Sequence, residues 1–390
     1  MFSDRTNWKI KPNRLALALE SLKKQGKDFL DLTESNPTLC GFECYNQFPF
    51  TALANPENRQ YHPSPQGLGK AREAIVRYYK EKDTIISPEQ IFLTAGTSEA
   101  YAFLFRLLAN AGETLLAPAP GYPLFDFLAD LNDVQLAFYP LLYDRGWHLV
   151  LENINRLACP KPKALIVVHP NNPTGSFLKQ SELRGLNQWA AGANAALISD
   201  EVFLDYDFEN APERAGTLAA NSDCLTFTLG GISKSLGLPQ MKVGWMIING
   251  PAQLMQNAIE RLEVIADTYL SVNTPVQNAL PEWLAFGGKI RREIMARLLE
   301  NKKFLTAQIK RAPACELLRQ EGGWYAIIKI PRMQNEEEWA LELLQKDKVY
   351  VHPGFFFNFE EEAYLIISLL PAASIFQEGI KKILARLAAA

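Results

Sequence analysis

The residue with the clearest chemical potential is Lys234, which follows an apolar, β-rich run at 225–229. Its neighbours are small, since the segment 230–235 reads Gly-Gly-Ile-Ser-Lys-Ser. Small neighbours let a flat ring and a phosphate approach the backbone, and burial lowers the pKa of a lysine towards neutrality. The segment therefore favours an amine that forms a Schiff base. An isolated lysine is more often a surface cation, so the interpretation depends on its companions.

Two polar side chains stand at the ends of predicted strands upstream of Lys234. Asn172 lies in the turn Asn-Asn-Pro-Thr-Gly at 171–175, and Asp200 ends the apolar run 195–199. Open α/β sheets bind ligands at the carboxyl ends of their strands. There Asp200 can hold the proton of a pyridine nitrogen, and Asn172 can donate to a phenolate oxygen on the same ring. Each motif alone is an ordinary turn or loop signal, but the ordered set favours a shared site.

A phosphate-binding turn is predicted further upstream, at residues 91–100. This segment reads as a strand, a turn at Gly96 and the start of a helix, whose cap we expect to be Thr97 or Ser98. The free amides of a first helical turn favour a dianionic phosphate. In the turn 120–123, Tyr122 offers an aromatic face for stacking, although a structural aromatic is the commoner role at such a place.

With these segments in this order, the chain resembles the pyridoxal-phosphate-dependent aminotransferases of class I/II (fold type I), and in particular the aspartate and alanine aminotransferases. The resemblance extends from Leu-Thr-Glu-Ser-Asn-Pro at 32–37 to Ser-Leu-Leu-Pro at 368–371. It includes the stretch 61–72, with its tyrosine, glycines and arginine, and Pro-Gly-Tyr-Pro-Leu at 120–124. The resemblance implies a cofactor, pyridoxal 5′-phosphate, and a homodimer with shared active sites.

The resemblance also implies a role for each matching residue. Lys234 would form the Schiff base and move the proton between the donor Cα and the cofactor C4′, and Asp200 would pair with the pyridine nitrogen. Both count as catalytic. Tyr61 would reach the site of the partner subunit. The implied cofactor-binding residues are Tyr61, Gly96, Thr97, Ser98, Tyr122, Asn172, Asp200, Ser233, Lys234 and Lys242, the implied substrate-binding residues are Ser35 and Asn172, and no metal is expected.

Three positions depart from the family pattern. Lys242 stands where the family usually has a phosphate-binding arginine, so we expect weaker and less directional phosphate binding. Phe203 replaces a tyrosine that hydrogen-bonds to the ring oxygen, so the pKa of the Schiff base should rise. Ile366 occupies the position of the arginine that binds the substrate α-carboxylate. Either another cation takes over, or the substrate is not an ordinary α-amino acid, or catalysis is impaired.

Composition excludes several other classes of protein. The chain has 390 residues, 48% of them hydrophobic, and 40 basic against 43 acidic residues, without a basic stretch typical of nucleic-acid binding. The N-terminal residues lack the apolar core of a signal peptide, and no apolar run is long enough for a membrane span, so we expect a cytoplasmic protein. The five cysteines and four histidines show no zinc spacing. No Gly-x-Ser-x-Gly nucleophile motif is present.

The pattern of elements predicts an α/β fold. Strands and helices alternate from about residue 91 to 250, which favours a mostly parallel sheet between helices, with seven strands by the resemblance. After residue 322 the pattern changes to that of a small α+β domain. We expect a large cofactor-binding domain at 46–290, and a small domain formed by 1–45 and 291–390.

The leading functional hypothesis is an aminotransferase that moves an amino group from an amino acid or amine to a 2-oxo acid in two half-reactions, by a ping-pong mechanism. The cofactor would carry the carbanion chemistry while the protein selects the bond that breaks. Two alternatives remain open at this point. A lyase on the same fold would catalyse β- or γ-elimination, and a weakly active protein would only bind the cofactor.

Overall fold

The computed structural model describes every residue except 9, 10, 158, 160, 210, 362 and 390. Of these, 158, 160 and 210 belong to the predicted large domain and the others to the predicted small domain, so those parts of both predictions lie outside the described residues. The α-helices of the described part are α1 (Arg14–Lys24), α2 (Gly69–Lys80), α3 (Thr97–Leu108), α4 (Phe125–Leu131), α5 (Leu151–Arg156), α6 (Gln180–Ala193), α7 (Ile232–Ser235), α8 (Ala252–Tyr269), α9 (Thr274–Ile309), α10 (Glu336–Glu342) and α11 (Ala373–Ala388).

The strands form one large sheet and two small ones. In chain order, the strands of the described part are β1 (Leu30–Asp31), β2 (Ile91–Thr94), β3 (Thr114–Ala119), β4 (Gln135–Tyr143), β5 (Trp147–Leu149), β6 (Ala164–Val168), β7 (Ala196–Asp200), β8 (Thr226–Gly231), β9 (Gly244–Asn249), β10 (Glu316–Leu317), β11 (Tyr325–Lys329), β12 (Val349–Tyr350), β13 (His352–Pro353) and β14 (Tyr364–Ser368).

The large sheet confirms the predicted α/β fold, with one strand more than expected. Its order is β2-β9-β8-β7-β6-β3-β4-β5, which gives eight strands. Strand β9 runs antiparallel to both of its neighbours, and β5 runs antiparallel to β4, whereas the other strands are parallel. The additional strand is β5, which folds back on β4 as a short hairpin. A three-residue strand carries too little alternation to be predicted from the sequence.

The central strands β6, β7 and β8 are buried throughout because helices cover both faces of the sheet. In β6, Ile166 packs into one buried cluster and Leu165 into the cluster on the opposite face. Strands buried on both sides read as continuous apolar runs rather than alternating ones. This arrangement leaves the polar residues of these segments at the strand ends, where the loops begin.

The C-terminal region forms the predicted α+β part. Strands β10, β11, β14 and β13 make an antiparallel sheet, and β1 pairs with β12 in a parallel pair. The predicted domain boundary at 290 falls inside α9, whose 36 residues pack against α2, α11 and β10. The division into two domains therefore remains a prediction. No helix of the described part has the length and apolar character needed to cross a membrane.

Candidate functional site

Loops at the carboxyl ends of the central strands surround a cavity of about 240 Å³. This is the edge of an open α/β sheet at which ligands bind. Eight of the residues predicted from the sequence line the cavity: Ser35, Gly96, Thr97, Tyr122, Asn172, Asp200, Ser233 and Lys234. The structure thus brings predicted site residues from six separate segments to one place.

Lys234 enters the cavity from α7, a four-residue helix that directly follows β8. Its amine lies 5.0 Å from the ring centre of Trp324 and 5.6 Å from that of Phe203. Burial among these rings lowers the pKa of Lys234 to about 8, and the negative charge of Asp200 partly offsets this effect. A substantial fraction of the amine is therefore neutral near physiological pH and available as a nucleophile.

Asp200 ends β7, and 7% of its surface is exposed. Its Oδ2 accepts a hydrogen bond of 3.0 Å from the hydroxyl of Tyr101, and its Oδ1 accepts one of 3.2 Å from the amide of Val202. Burial raises the pKa of Asp200 to about 6, while both hydrogen bonds and Lys234 act in the opposite direction. A buried carboxylate of this kind is suited to hold a cationic group of a ligand.

The helix predicted after Gly96 is present, but its predicted cap is wrong. The N-cap of α3 is Gly96, with φ 153°, and Thr97 and Ser98 are the first two residues of the helix. A Cβ added to Gly96 would meet no atom within 4 Å, so the residue borders open space. Helix α3 directs its free first-turn amides to this end, where an anion is favoured.

Asn172 and Tyr122 occupy the sides of the cavity. The Oδ1 atom of Asn172 is buried without a hydrogen-bond partner among the described residues. An unsatisfied buried amide is costly, so this side chain is suited to a ligand group rather than to the protein interior. The ring of Tyr122 packs edge-on against Phe125, with ring centres 5.6 Å apart.

Three residues of the predicted set do not line the cavity. Ser98 is exposed on α3, and Lys242 is exposed with a left-handed backbone, at φ 52°. Tyr61 is 65% exposed. Any contact of these three residues with a cofactor would therefore lie outside the cavity walls of the single chain. Their cofactor-binding roles remain predictions.

Several residues that position the site did not stand out in the sequence. Tyr101 is one of several large apolar or aromatic residues of α3, yet its hydroxyl is the side-chain partner of Asp200. Tyr325 lines the cavity from β11, together with Ser35. The Gly-Gly-Trp-Tyr turn at 322–325 was the one available signal for Tyr325 and Trp324, because such turns bring a backbone close to a ligand.

Ile366, which the sequence predicts to occupy the position of a carboxylate-binding arginine, lies in an apolar cluster. It pairs with Ile327 across β11 and β14, on the same face as Tyr325. It is fully buried with Trp147, Leu318, Ile327 and Phe357. This side chain cannot bind a carboxylate. Among the described cavity-lining residues, Lys234 carries the only cationic side chain.

The sequence matches the family model described as "Aminotransferase class I and II" over residues 25–384. Among characterised relatives, the glutamate-pyruvate aminotransferase AlaA of Haemophilus influenzae is 29% identical over 93% of this chain and 91% of its own length. A tyrosine aminotransferase of Homo sapiens is 26% identical over 95% of this chain and 83% of its own length.

Solved structures of named aminotransferases have the same fold. An alanine aminotransferase from Pyrococcus furiosus superposes with a TM-score of 0.88 over the whole length of both chains, at 22% identity. An aminotransferase from Escherichia coli gives a TM-score of 0.86 at 25% identity, over 100% of this chain and 98% of its own. Since the family model covers nearly the whole chain, the protein belongs to the class I and II aminotransferases.

Proposed function

We propose that this aminotransferase binds pyridoxal 5′-phosphate in the 240 Å³ cavity and that Lys234 is its reactive amine. The observation that carries the proposal is the shared burial of Lys234 and Asp200. The pKa of the lysine is lowered to about 8 and that of the carboxylate is raised to about 6. Paired titratable groups with shifted pKa values in one cavity are typical of a catalytic site.

The residues present fit the chemical groups of this cofactor. The start of α3 at Gly96 and Thr97, together with Ser233, is suited to the phosphate. The amide NH2 of Asn172 is suited to donate to the ring oxygen, and Asp200 is suited to hold the protonated ring nitrogen. Bound there, the cofactor would supply the electron sink that makes a Cα proton of the donor acidic.

Proton transfer, the charge opposite the ring nitrogen and the exclusion of water would depend on the side chains in and beside this cavity. The Lys234 amine would take the proton from the donor Cα and return it to C4′ of the cofactor, on the other side of the amino nitrogen, since the amine is neutral for part of the time at pH 7 to 8. Asp200 would keep its charge against the ring nitrogen because Tyr101 and Val202 donate to its two oxygens. Phe203 and Trp324 would exclude water from the lysine.

Lys234→Ala tests the role of Lys234, with Lys302→Ala as the matched control. Lys302 is also a partly buried lysine with a lowered pKa, but it lies outside the cavity. We expect Lys234→Ala to lose the visible absorbance of lysine-linked cofactor and to lose turnover by at least about 10³-fold. Lys302→Ala should retain both. If Lys234→Ala keeps the absorbance of wild type, the assignment of Lys234 is wrong.

We also propose a homodimer, and a cytoplasmic location as the composition predicts. Support for the dimer comes from the family resemblance and from Tyr61, which is 65% exposed in the single chain. The proposed donor and acceptor are an amino compound and a 2-oxo acid. Light scattering at micromolar concentration tests the dimer, and a mass of 43.8 kDa, that of one chain, would contradict it.

A further inference from the structure

Tyr206 is hydrogen-bonded to Lys234 although it does not line the cavity. It is fully buried, in the loop after β7. Its hydroxyl donates a hydrogen bond of 2.7 Å to the main-chain oxygen of Lys234. Its ring packs edge-on against Trp324, with ring centres 5.2 Å apart. One side chain thus contacts both the backbone of the lysine and the aromatic wall beside its amine.

The backbone of Lys234 needs such a support because α7 is very short. This helix has four residues, and the oxygen of Lys234 belongs to its last turn. Apart from Tyr206, the same oxygen accepts a hydrogen bond of 3.1 Å from the amide of Gly237. A helix of one turn has few internal hydrogen bonds to resist movement. The hydroxyl of Tyr206, which belongs to another segment of the chain, therefore does much to fix the position of the Lys234 backbone.

The ring of Tyr206 supports Trp324 in a comparable way. The indole nitrogen of Trp324 is buried and has no hydrogen-bond partner in the described part of the chain. Packing therefore fixes this ring, through edge-on contacts with Tyr206 and Phe203, whose ring centres are 5.2 and 5.3 Å away. The amine of Lys234 lies 5.0 Å from the same indole. A displaced Trp324 would admit water beside the amine.

We propose that Tyr206 is a positioning residue for Lys234: its hydroxyl fixes the backbone of the lysine, and its ring fixes the aromatic wall that keeps water from the amine. The inference rests on the proposed role of Lys234. Tyr206 itself touches neither substrate nor cofactor and acts only through its two neighbours. Removal of the hydroxyl and removal of the ring should therefore have separable effects.

The chain offers a matched control in Tyr139. This tyrosine is also buried, at 1% exposure, and its hydroxyl donates a hydrogen bond of 2.8 Å to the main-chain oxygen of Ile166 in β6. Tyr139→Phe and Tyr206→Phe thus remove the same kind of bond at similar burial. A purely structural role predicts the same small loss of thermal stability and the same kinetics for both variants.

The first readout is the kinetics of the cofactor-loaded enzyme. We expect Tyr206→Phe to lower kcat about 5- to 10-fold with KM within about 2-fold, because one hydrogen bond orients the reacting group and not the substrate. Tyr139→Phe should leave kcat within about 2-fold of wild type. Equal kcat values for the two variants would overturn the role of the hydroxyl.

The second readout uses the cofactor-free protein, so it does not depend on turnover. Acylation of Lys234 by acetic anhydride, located by peptide mass spectrometry, is followed as a function of pH. We expect Tyr206→Leu to raise the midpoint of this profile by at least about 0.5 unit, since water would reach the amine. Tyr139→Leu should not shift it. An unshifted midpoint in a folded Tyr206→Leu protein would overturn the role of the ring.

The outcomes also separate this inference from the proposed function. If Lys234→Ala keeps its turnover, the role of Lys234 fails, whatever Tyr206 does. If Lys234→Ala is inactive but Tyr206→Phe behaves like Tyr139→Phe, the positioning role alone fails. Should Tyr206→Leu not fold, the phenylalanine pair still decides the role of the hydroxyl, and Tyr206→Met and Tyr139→Met, which also remove the ring, replace the leucine pair in the acylation experiment.

Discussion

The hydroxyl of Tyr101, on α3, donates a hydrogen bond of 3.0 Å to Oδ2 of Asp200, at the end of β7. The bond joins the helix that begins at the predicted phosphate turn to the carboxylate proposed to hold the ring nitrogen. Tyr101 is almost fully buried, and its ring packs edge-on against Phe125. The bond lowers the pKa of Asp200 and so opposes the effect of burial, which raises it to about 6.

Tyr101→Phe should therefore raise the pKa of Asp200 further. A hydrogen bond to a charged group contributes about 1.5 kcal/mol or more, which corresponds to about 1 pKa unit. We expect the acid limb of the kcat/KM–pH profile to move upward by about that amount, with little change above pH 8. The ring is preserved in the variant, so packing changes little. An acid limb that stays in place would show that Asp200 does not control it.

The fold and most of the cavity residues could be predicted from the sequence because the patterns that indicate them lie within short stretches of the chain. Asp200 ends the buried strand β7, Asn172 and Lys234 lie in the segments after the buried strands β6 and β8, and parallel strands place their carboxyl ends at one edge. Tyr101 and Tyr325 could not be assigned in the same way. The role of Tyr101 depends on Asp200, and that of Tyr325 on its place in the cavity wall, and both relationships join residues far apart in the chain.

The wrong cap of α3 has a local physical reason. Threonine and serine are usual N-caps, and the sequence at 96–98 offers both immediately after a glycine. In the structure the helix starts one residue earlier, and Gly96 takes the cap position with φ 153°. A side chain at the cap would extend into the open space beside Gly96, where a phosphate is expected.

Lys242 is predicted to contact the cofactor phosphate from the edge of the site. It directly precedes Val243, which lines the cavity, and it is exposed in the single chain. Lys242→Ala should weaken pyridoxal-phosphate binding about 10-fold, whereas Lys242→Arg should bind at least as tightly because arginine can form two hydrogen bonds to a phosphate. Fluorescence titration of the cofactor-free protein measures this. Lys303→Ala, at an exposed lysine of α9, is the control, and equal affinities of Lys242→Ala and Lys303→Ala would exclude the role.

The apolar surroundings of Ile366 lead to a prediction about the amino donor. A bidentate arginine–carboxylate pair is a strong, orienting contact, and no other described residue of the cavity wall replaces the cation. We therefore expect a primary amine and the amino acid with the same side chain to differ by less than about 10-fold in kcat/KM. Stopped-flow measurement of the first half-reaction with matched pairs of donors provides the comparison. A preference of about 100-fold for the amino acids would reveal another cation, such as one from the partner subunit.

Glu201, next to Asp200, should make the stability of the cofactor-free protein depend on pH. Its buried carboxylate accepts hydrogen bonds from Ser199 (2.9 Å), Thr217 (2.5 Å) and the amide of Leu218 (2.7 Å). Burial nevertheless raises its pKa from 4.5 to about 7. The folded state thus favours the protonated form. The resulting stabilisation is complete below pH 4.5 and is lost as the pH rises through 7.

The shift in the pKa of Glu201 corresponds to a contribution of about 3 kcal/mol to the change in unfolding free energy between pH 4.5 and 8. Glu201→Gln cannot ionise, so it should remove this contribution and flatten the stability profile. Urea unfolding of the cofactor-free protein at a series of pH values measures the difference. Glu300→Gln, at an exposed residue of α9, should leave the profile of wild type unchanged. Parallel profiles for wild type and Glu201→Gln would mean that Glu201 stays ionised in the folded protein.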